Sequence, residues 1–308
     1  MLNPYGSDCR WLKAELHLHT DRSDGTLAPA DAVAAYRDDG YDAVAVTDHD
    51  QFFGPADLDD PGLLLIPAQE VHLGKETDDR CAYHIVALGI TEDIPRQDSG
   101  QAAVNAIREQ GGLAILCHPL WSSMLQEEMD SIHGCFAVEI WNGVCERMLN
   151  KGNSVFYWDS YLTRFDPSEL EPGDPPRPLW GLAVDDAHRY PEDLGKGWVW
   201  VQVPRRGQPT ANTILEALRQ GAFYSTQGPR IETLTTEEGL LTVCTSSAVS
   251  VRFVGSAGRV RSRVTGDHVK RAEYQIVGDE RYVRVEVEDR GGRVAWSNPV
   301  WLGAPEEE

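Results

Sequence analysis

The sequence predicts an α/β fold: a TIM-like barrel of parallel strands covered by helices, followed by an all-β segment. Three features of the chain support this prediction. Apolar strand patterns alternate with helical patterns over residues 14–220, His, Asp and Glu residues stand at the ends of several strands, and helical periodicity is lost over residues 232–302. Alternating strands and helices favour a parallel sheet, and closure of that sheet into a barrel is the economical arrangement.

The first elements set the pattern of the barrel. Residues 14–20 are predicted as a strand, and residues 26–39 as a helix with an apolar stripe. Gly40 follows the last turn of this helix, as glycine often does. Residues 42–49 form a short apolar run that ends in polar groups, which is typical of a strand buried on both faces.

Later segments repeat these patterns. Further strands are predicted over residues 63–72, 83–90, 113–119, 137–143 and 179–188. Further helices are predicted over residues 102–110, 155–165 and 210–220. Residues 166–178 contain five prolines and are predicted to form an irregular surface loop.

The C-terminal quarter has a different pattern. Its predicted strands cover residues 240–244, 249–254, 271–277, 282–289 and 293–298, and Gly-containing turns separate several of them. This spacing predicts a small, sandwich-like all-β unit. We therefore expect two domains, a barrel over residues 1–230 and a β-rich domain over residues 231–308.

Composition excludes several classes of protein. The 308 residues include 28 Lys and Arg against 49 Asp and Glu, so the net charge is −21. Such an acidic surface repels phosphate backbones, and no long nucleic acid is expected as a partner. The sequence has no apolar run long enough to span a membrane and no signal-peptide pattern at its start. The six cysteines show no C-x-x-C spacing. We expect a cytoplasmic protein.

The polar residues at strand ends are candidate metal ligands. His17 and His19 fall on one face of a strand, because side chains alternate with a period of two, and Asp186 and His188 repeat this spacing. An isolated His-x-His pair is as readily explained as the polar face of a half-buried strand. A polar strand face explains less readily why nine His, Asp and Glu residues stand at or near strand ends. These residues are His17, His19, Asp24, His49, Glu70, His84, His118, Asp186 and His188.

Their number exceeds the four ligands of one tetrahedral site and suits two or three divalent metals that share a bridging carboxylate. The remaining histidines, His72, His133 and His268, are interpreted as non-ligands. His72 is the least clear of the three, because it shares a strand face with Glu70.

This combination resembles the polymerase and histidinol phosphatase (PHP) family of metal-dependent hydrolases. The matching segments are His17-Leu18-His19-Thr20, Ser23-Asp24-Gly25, Thr47-Asp48-His49, Glu70, His84, His118-Pro119 and Asp186-Ala187-His188. The resemblance covers roughly residues 14–190. Residues 180–188 and the end of the β-rich tail, residues 295–299, are similar to the carbaryl-hydrolase-like branch, whose named activity is on a carbamate ester.

The resemblance implies a distorted (β/α)7 barrel and three metal positions. The first would be held by His17, His19, Glu70 and Asp186; the second by Glu70, His84 and His118, with Glu70 bridging; the third by Asp24, His49 and His188. Many members have His at the first position of the third set, where this chain has Asp24. Zn, Mn and Fe all suit imidazole and carboxylate ligands.

Metals of this kind activate water for attack on phosphorus or on a carbonyl carbon, without a side-chain nucleophile. Glu70, Asp186 and His188 are the ligands expected to be catalytic. Arg189, Lys196 and Arg230 are candidates to bind a substrate phosphate, with Arg230 preferred and Arg189 second. For each cation, an ordinary surface salt bridge is the alternative.

Three functions fit the sequence. The first is a phosphoesterase that acts on a small phosphorylated molecule or nucleotide. The second is a hydrolase of carbamate, ester or amide bonds with the same metals, and the third is a non-catalytic metal-binding domain. All nine ligand positions are filled, which counts against the third. The sequence does not indicate an oligomeric state.

Overall fold

The computed structural model describes residues 3–6, 8–59, 61–74, 83–165 and 179–302. These residues form a mixed α/β structure with many strands. The helices are α1 (Pro29–Asp38), α2 (Gly100–Glu109), α3 (Gln126–Asp130), α4 (Gly143–Leu149), α5 (Val155–Arg164) and α6 (Ala211–Arg219). The predicted proline-rich loop, residues 166–178, lies outside the described residues. No helix in the described part of the chain is long and apolar enough to cross a membrane.

The strands divide into those before and those after the predicted domain boundary. The first group is β1 (Cys9–Leu18), β2 (Ala43–Val46), β3 (Leu64–Leu65), β4 (Ala68–His72), β5 (His84–Leu88), β6 (Leu113–Leu116), β7 (Ala137–Asn142), β8 (Trp180–Val184), β9 (Trp198–Pro204) and β10 (Phe223–Thr226). The second group is β11 (Ile231–Glu237), β12 (Leu240–Val254), β13 (Val260–Gln275), β14 (Tyr282–Glu288), β15 (Val294–Ser297) and β16 (Val300–Trp301).

The strands form two sheets. The smaller has the order β4-β5-β6-β7-β8. The larger has the order β11-β12-β14-β15-β10-β9-β1-β2-β3, with β13 added to β12 and β16 to β14. Strands β2 and β5 are buried along their whole length, as their apolar sequences predict.

One reversed strand distinguishes the smaller sheet from the predicted parallel one. Strand β5 pairs antiparallel with both β4 and β6, whereas β6, β7 and β8 are parallel to one another. The segment between β4 and β5, residues 73–83, is shorter than the dozen or so residues that a parallel crossover needs. The chain therefore turns back, and β5 begins at the edge of the sheet where β4 and β6 end.

Within the described residues neither sheet closes into a barrel, so the predicted (β/α)7 TIM-like barrel is not confirmed. The two sheets instead share one hydrophobic core, to which Leu16 of β1, Val86 of β5 and Leu182 of β8 contribute. Isolated bridges between segments of the two sheets include Leu18 with Ala187 and His49 with Glu70. Both links involve residues at or beside the predicted ligands, so the two sheets meet at the candidate site.

The C-terminal strands extend the larger sheet. Strand β15 pairs with β10, with Ser225 opposite Trp296, and hydrogen bonding therefore continues across the predicted boundary at residue 231. The strands predicted over residues 240–244 and 249–254 are one strand, β12. An appended sandwich with sheets of its own is not confirmed, and the division into two domains stays a prediction.

Candidate metal centre

The predicted ligands converge on one edge of the two sheets. His17 lies in β1, Asp24 and His19 follow that strand, and Glu70 lies in β4. The residues that follow the ends of β2, β6 and β8 are His49, His118, Asp186 and His188. His84 is the first residue of β5, and it reaches the same edge because β5 is reversed. Parallel strands and one reversed strand therefore deliver their polar residues to a single place.

The four residues His17, His19, Glu70 and Asp186 form an inner cluster. His17 Nε2 and His19 Nε2 lie 3.1 Å apart. Each of these nitrogens is 3.3 Å from Glu70 Oε2. Asp186 Oδ1 lies 3.3 Å from His17 Nε2 and 3.1 Å from His19 Nε2. All four side chains are buried.

The separations among His17, His19 and Asp186 fit a common metal ion, and Glu70 Oε2 lies 3.3 Å from both histidines. Four ligand atoms arranged tetrahedrally at 2.0–2.1 Å from a zinc-like ion lie about 3.3–3.4 Å from one another. Moreover, both Glu70 carboxylate oxygens and Asp186 Oδ1 are buried and lack a hydrogen-bond partner. Unpaired buried carboxylate oxygens are costly unless a cation satisfies them. The inner cluster is therefore of the kind that binds a divalent metal.

The second oxygen of Glu70 faces a lateral cluster made of Glu70, His84 and His118. Glu70 Oε1 lies 2.9 Å from His84 Nδ1 and 3.5 Å from His118 Nε2. The His84 contact lacks the alignment of a hydrogen bond, and His84 Nδ1 is buried without a partner. Glu70 thus has one oxygen in each cluster, which is the arrangement that a bridging carboxylate requires.

The outer cluster comprises Asp24, His49 and His188. Asp24 Oδ2 lies 3.3 Å from His188 Nε2 and 3.7 Å from His49 Nε2. The Asp24 side chain is 54% exposed. His188 Nδ1 donates to the backbone oxygen of Asp186 at 2.8 Å, so its Nε2 lone pair faces Asp24. The structure therefore brings all nine predicted residues to one place, where His19 also lies close to the outer cluster and His49 Nδ1 lies 2.9 Å from Glu70 Oε2.

Electrostatics favour ionised carboxylates in the centre. Burial opposes the charged form of Glu70, yet His17, His84 and His49 hold the pKa of this carboxyl well below its ordinary value. Burial also opposes ionisation of Asp24, but the neighbouring His188 and His49 lower its pKa. The same carboxylates act on the imidazoles: against the effect of burial, Glu70 and Asp24 raise the pKa of His49 to about 10.

Two residues that the sequence analysis missed hold the inner cluster in place. Glu139 is buried in β7 and accepts a 2.6 Å hydrogen bond from His17 Nδ1, which leaves the Nε2 lone pair directed at the cluster. Glu139 also accepts the backbone N–H of His118 at 2.8 Å. Asn142 donates to both Glu139 and Asp186 at 3.0 Å. A carboxylate behind a ligating histidine is a usual feature of metal sites.

The signal for Glu139 was present in the sequence, since a glutamate interrupts the apolar run of residues 137–140. A carboxylate in a fully buried strand is costly unless it is paired.

Asp48, in the Thr47-Asp48-His49 segment, positions a neighbouring turn. It accepts hydrogen bonds from Thr20 and Ser23, at 2.7 Å from Ser23 Oγ, and so holds the turn that carries Asp24.

His72 also lies against the centre. Its ring is 4.2 Å from that of His49 and 4.4 Å from that of His84, measured between centroids. Its Nδ1 is 2.9 Å from Asp50, which in turn accepts from Arg96 at 3.1 Å. His268 instead contacts Ser247, away from the clusters. The interpretation of His72 as a non-ligand stays a prediction.

A cavity of about 580 Å³ opens over the three clusters. Two arginines line it: Arg189, which was predicted to bind substrate, and Arg147 of α4, which was not identified. Arg147 is fixed by Asp193, whose Oδ1 lies 2.6 Å from Arg147 Nε. The buried Asp193 also accepts the backbone N–H groups of His188 and Arg189, so one carboxylate positions a ligand segment and both cations.

Arg230, the preferred phosphate-binding candidate, is placed elsewhere. Its guanidinium lies 4.8 Å from the centre of the Trp200 ring, and it does not line the cavity in the described structure. The expectation relied on its position after a turn at the end of a predicted strand. The turn leads instead into β11, whose pairing with β12 carries the chain into the C-terminal part of the larger sheet.

Comparison with known proteins identifies the family. The family model of the PHP domain matches residues 15–62. An uncharacterized protein of Methanocaldococcus jannaschii is 32% identical over 119 residues, which are 35% of this chain and 68% of the relative. The chain belongs to the PHP family. Of the nine candidate ligands, the PHP match contains His17, His19, Asp24 and His49; the other five come from later segments that the fold brings to the same edge.

One solved structure of a PHP-like protein indicates a similar fold. A two-domain protein of Bacteroides vulgatus, described as containing a predicted PHP-like metal-dependent phosphoesterase, matches with a TM-score of 0.50 and 16% identity. The match covers 100% of this chain and 95% of that protein, and it indicates a similar fold. An amidohydrolase of Chromobacterium violaceum matches 68% of this chain and 96% of its own, with 16% identity and a TM-score of 0.45.

Proposed function

We propose that the protein is a metal-dependent phosphoesterase that acts on a small phosphorylated molecule, with Zn, Mn or Fe bound by the nine clustered ligands. The observation that carries the proposal is that Arg147 and Arg189 line the same cavity as the ligands. Arginine presents a planar fork of donors that suits phosphate oxygens. A neutral carbamate or ester has less need of two cations beside the metal ligands.

Two arginines would bind the substrate phosphate, and Glu139 would orient a metal ligand. Arg147, held by Asp193, would bind and orient phosphate oxygens, and Arg189 would add a second donor at the rim. Glu139 fixes His17 in the tautomer whose Nε2 lone pair is available for a metal. When bound, divalent ions in such a site lower the pKa of water and stabilise charge that develops on the attacked group.

The test is a comparison of substrates with purified protein loaded with Mn or Zn. We expect hydrolysis of p-nitrophenyl phosphate, and little or no hydrolysis of 1-naphthyl N-methylcarbamate, the alternative suggested by the carbaryl-hydrolase-like resemblance. Arg147→Ala should raise KM for the phosphate ester by about tenfold or more, since it removes a charge-assisted bidentate contact. Arg147→Lys should recover only part of this loss.

Arg230→Ala is the matched control, because Arg230 contacts Trp200 outside the cavity and should leave KM unchanged. Hydrolysis of the carbamate alone would contradict the phosphoesterase proposal and favour the alternative. Absence of hydrolysis of both compounds by metal-loaded protein would favour the non-catalytic alternative.

A further inference from the structure

Apolar residues form part of the cavity wall. Four of its lining residues are hydrophobic: Trp121, Val144, Cys145 and Met148. Val144, Cys145 and Met148 lie in α4, spaced so that they face one side of this short helix. Burial raises the pKa of the Cys145 thiol, so this side chain is neutral and contributes apolar surface.

The indole of Trp121 stands beside the metal ligands. Its ring centroid is 4.9 Å from that of His118 at an interplanar angle of 74°, and 6.3 Å from that of His84. The loop that carries it is fixed by neighbouring contacts, in which Tyr157 donates to the backbone oxygen of Met124 at 2.9 Å and Leu120 donates to Ser154 at 3.3 Å. An apolar surface is thus held next to the reacting position.

Helix α4 couples this wall to the charged side of the cavity. Asn142, which caps the N-terminus of this helix, accepts the Cys145 N–H at 2.9 Å and donates to Asp186 at 3.0 Å. The same helix carries Arg147 next to Met148. The cation and the thioether therefore stand at a fixed distance from the ligand Asp186, which suits a molecule that is anionic at one end and apolar at the other.

Met148 offers apolar surface to the cavity. Its side chain is 57% exposed at the cavity, a large apolar group facing solvent. A cavity of about 580 Å³ lies within the range of about 300–1,000 Å³ found for small-molecule sites, and such sites combine apolar walls with few polar groups. Tryptophan and methionine also make favourable contacts with aromatic rings.

We propose that Trp121 and Met148 bind the aromatic leaving group of the substrate, which is therefore an aryl phosphate monoester. This inference rests on the proposed phosphoesterase function and specifies its substrate class. Trp121 and Met148 act as specificity residues, and they contribute to binding of the ring without taking part in attack on phosphorus.

The experiment compares 1-naphthyl phosphate with methyl phosphate in the metal-loaded wild type and its variants. Met148→Ala should raise KM for 1-naphthyl phosphate by about fivefold, with kcat nearly unchanged, because part of a buried apolar contact is lost. KM for methyl phosphate should change by less than about twofold, because methyl phosphate has no ring for Met148 to contact. Trp121→Leu should also raise KM for 1-naphthyl phosphate more than KM for methyl phosphate. Trp121→Phe should keep KM for 1-naphthyl phosphate close to the wild-type value, because it retains an aromatic ring.

Leu149→Ala is the matched control. Leu149 is the next residue of α4 and is 55% exposed, but it does not line the cavity in the described structure, so neither substrate should be affected. Equal changes of KM for the two substrates in Met148→Ala, or the same change in Leu149→Ala, would overturn the inference.

Binding of phenylphosphonate and methylphosphonate, measured by calorimetry, separates this inference from the proposed function. If the wild type hydrolyses no phosphate monoester, the proposed function fails. The apolar wall is still tested by whether Met148→Ala weakens phenylphosphonate selectively. If the wild type hydrolyses phosphate monoesters but Met148→Ala weakens binding of phenylphosphonate and methylphosphonate equally, only the proposed specificity for aryl groups is wrong.

Discussion

The inner and outer clusters of the candidate metal centre differ in burial and in support. In the inner cluster, Glu70 is 1% exposed and the measured contacts between ligand atoms are 3.1–3.3 Å. In the outer cluster, Asp24 is 54% exposed and its contacts are 3.3 and 3.7 Å. Glu139 fixes His17 from behind, whereas Asp24 extends from a turn into solvent.

This difference indicates different affinities within one centre. Ligands that are already held in place lose little freedom when a metal binds, and their outer partners increase their basicity. An exposed carboxylate must be ordered on binding and competes with water. We therefore expect the inner cluster to retain its metal and the outer cluster to exchange it, and the following predictions test this contrast.

The largest effect is expected from Glu70→Gln. The substitution keeps the shape of the side chain but removes the charge between the inner and lateral clusters, so at least one metal should be lost. Hydrolysis should fall by about a thousandfold or more, with the fold intact. Elemental analysis and circular dichroism provide the measurement. Full metal content together with undiminished activity would exclude Glu70 as a bridging ligand.

A smaller effect is expected from Asp24→Ala. About one metal should be lost from the outer cluster while the inner metal is kept, and the rate should fall by about a hundredfold. Thermal stability should change little, because Asp24 is half exposed. Asp21→Ala in the same turn is the control and should leave metal content unchanged. If Asp24→Ala keeps its full metal complement and rate, Asp24 is only a residue of the turn.

Glu139→Gln tests the support of the inner cluster. Removal of this charge behind His17 should weaken metal affinity by about 10- to 100-fold, and excess metal should restore the rate. Chelator titration of the variant against the exposed control Glu127→Gln gives the comparison. A rate loss that metal cannot restore would mean that Glu139 acts in the reaction rather than on His17.

The smallest effect concerns pH. Burial would lower the pKa of both outer histidines, but the neighbouring carboxylates raise it to about 10 for His49 and about 9 for His188. An ordinary histidine has a pKa of about 6.5. In metal-free protein, these charged pairs therefore contribute stability that is complete below pH ~6.5 and is lost as pH rises toward 9–10.

Metal requires the same imidazoles to be neutral, so metal content should rise over that range. The melting temperature with chelator should thus fall from about pH 6.5 to about pH 10, while metal content and rate in metal-loaded protein should increase over the same range. If the melting temperature of metal-free protein and the metal content of metal-loaded protein change in the same direction with pH, the proposed role of these histidines is wrong.

The residues of the site were predictable because their signal is local. His17 and His19, or Asp186 and His188, share a face through the period of a strand, and a polar residue after an apolar run marks a strand end. The reversal of β5 was not predictable from such patterns, because it depends on a short connection and on pairing between distant segments. The same reversal explains why His84 is a candidate ligand at the start of a strand.

Residues that act through tertiary contacts were missed for a related reason. Arg147 resembles an ordinary cation in the last turn of a helix, and only its contact with Asp193, 46 residues away, fixes it at the cavity. Arg230 shows the converse, since its turn suggested a rim position while the sheet carries it to Trp200.

The most direct test of the unequal clusters is stepwise removal of metal. Metal-loaded protein is dialysed against increasing chelator, and bound metal and hydrolysis rate are measured at each step. We predict that one metal leaves the wild type before the others and that the hydrolysis rate falls with it. Added Mn should restore both the bound metal and the rate. Asp24→Ala should lack this first release of metal and still show the later releases. Release of all metals in a single step, or an unchanged first step in Asp24→Ala, would contradict it.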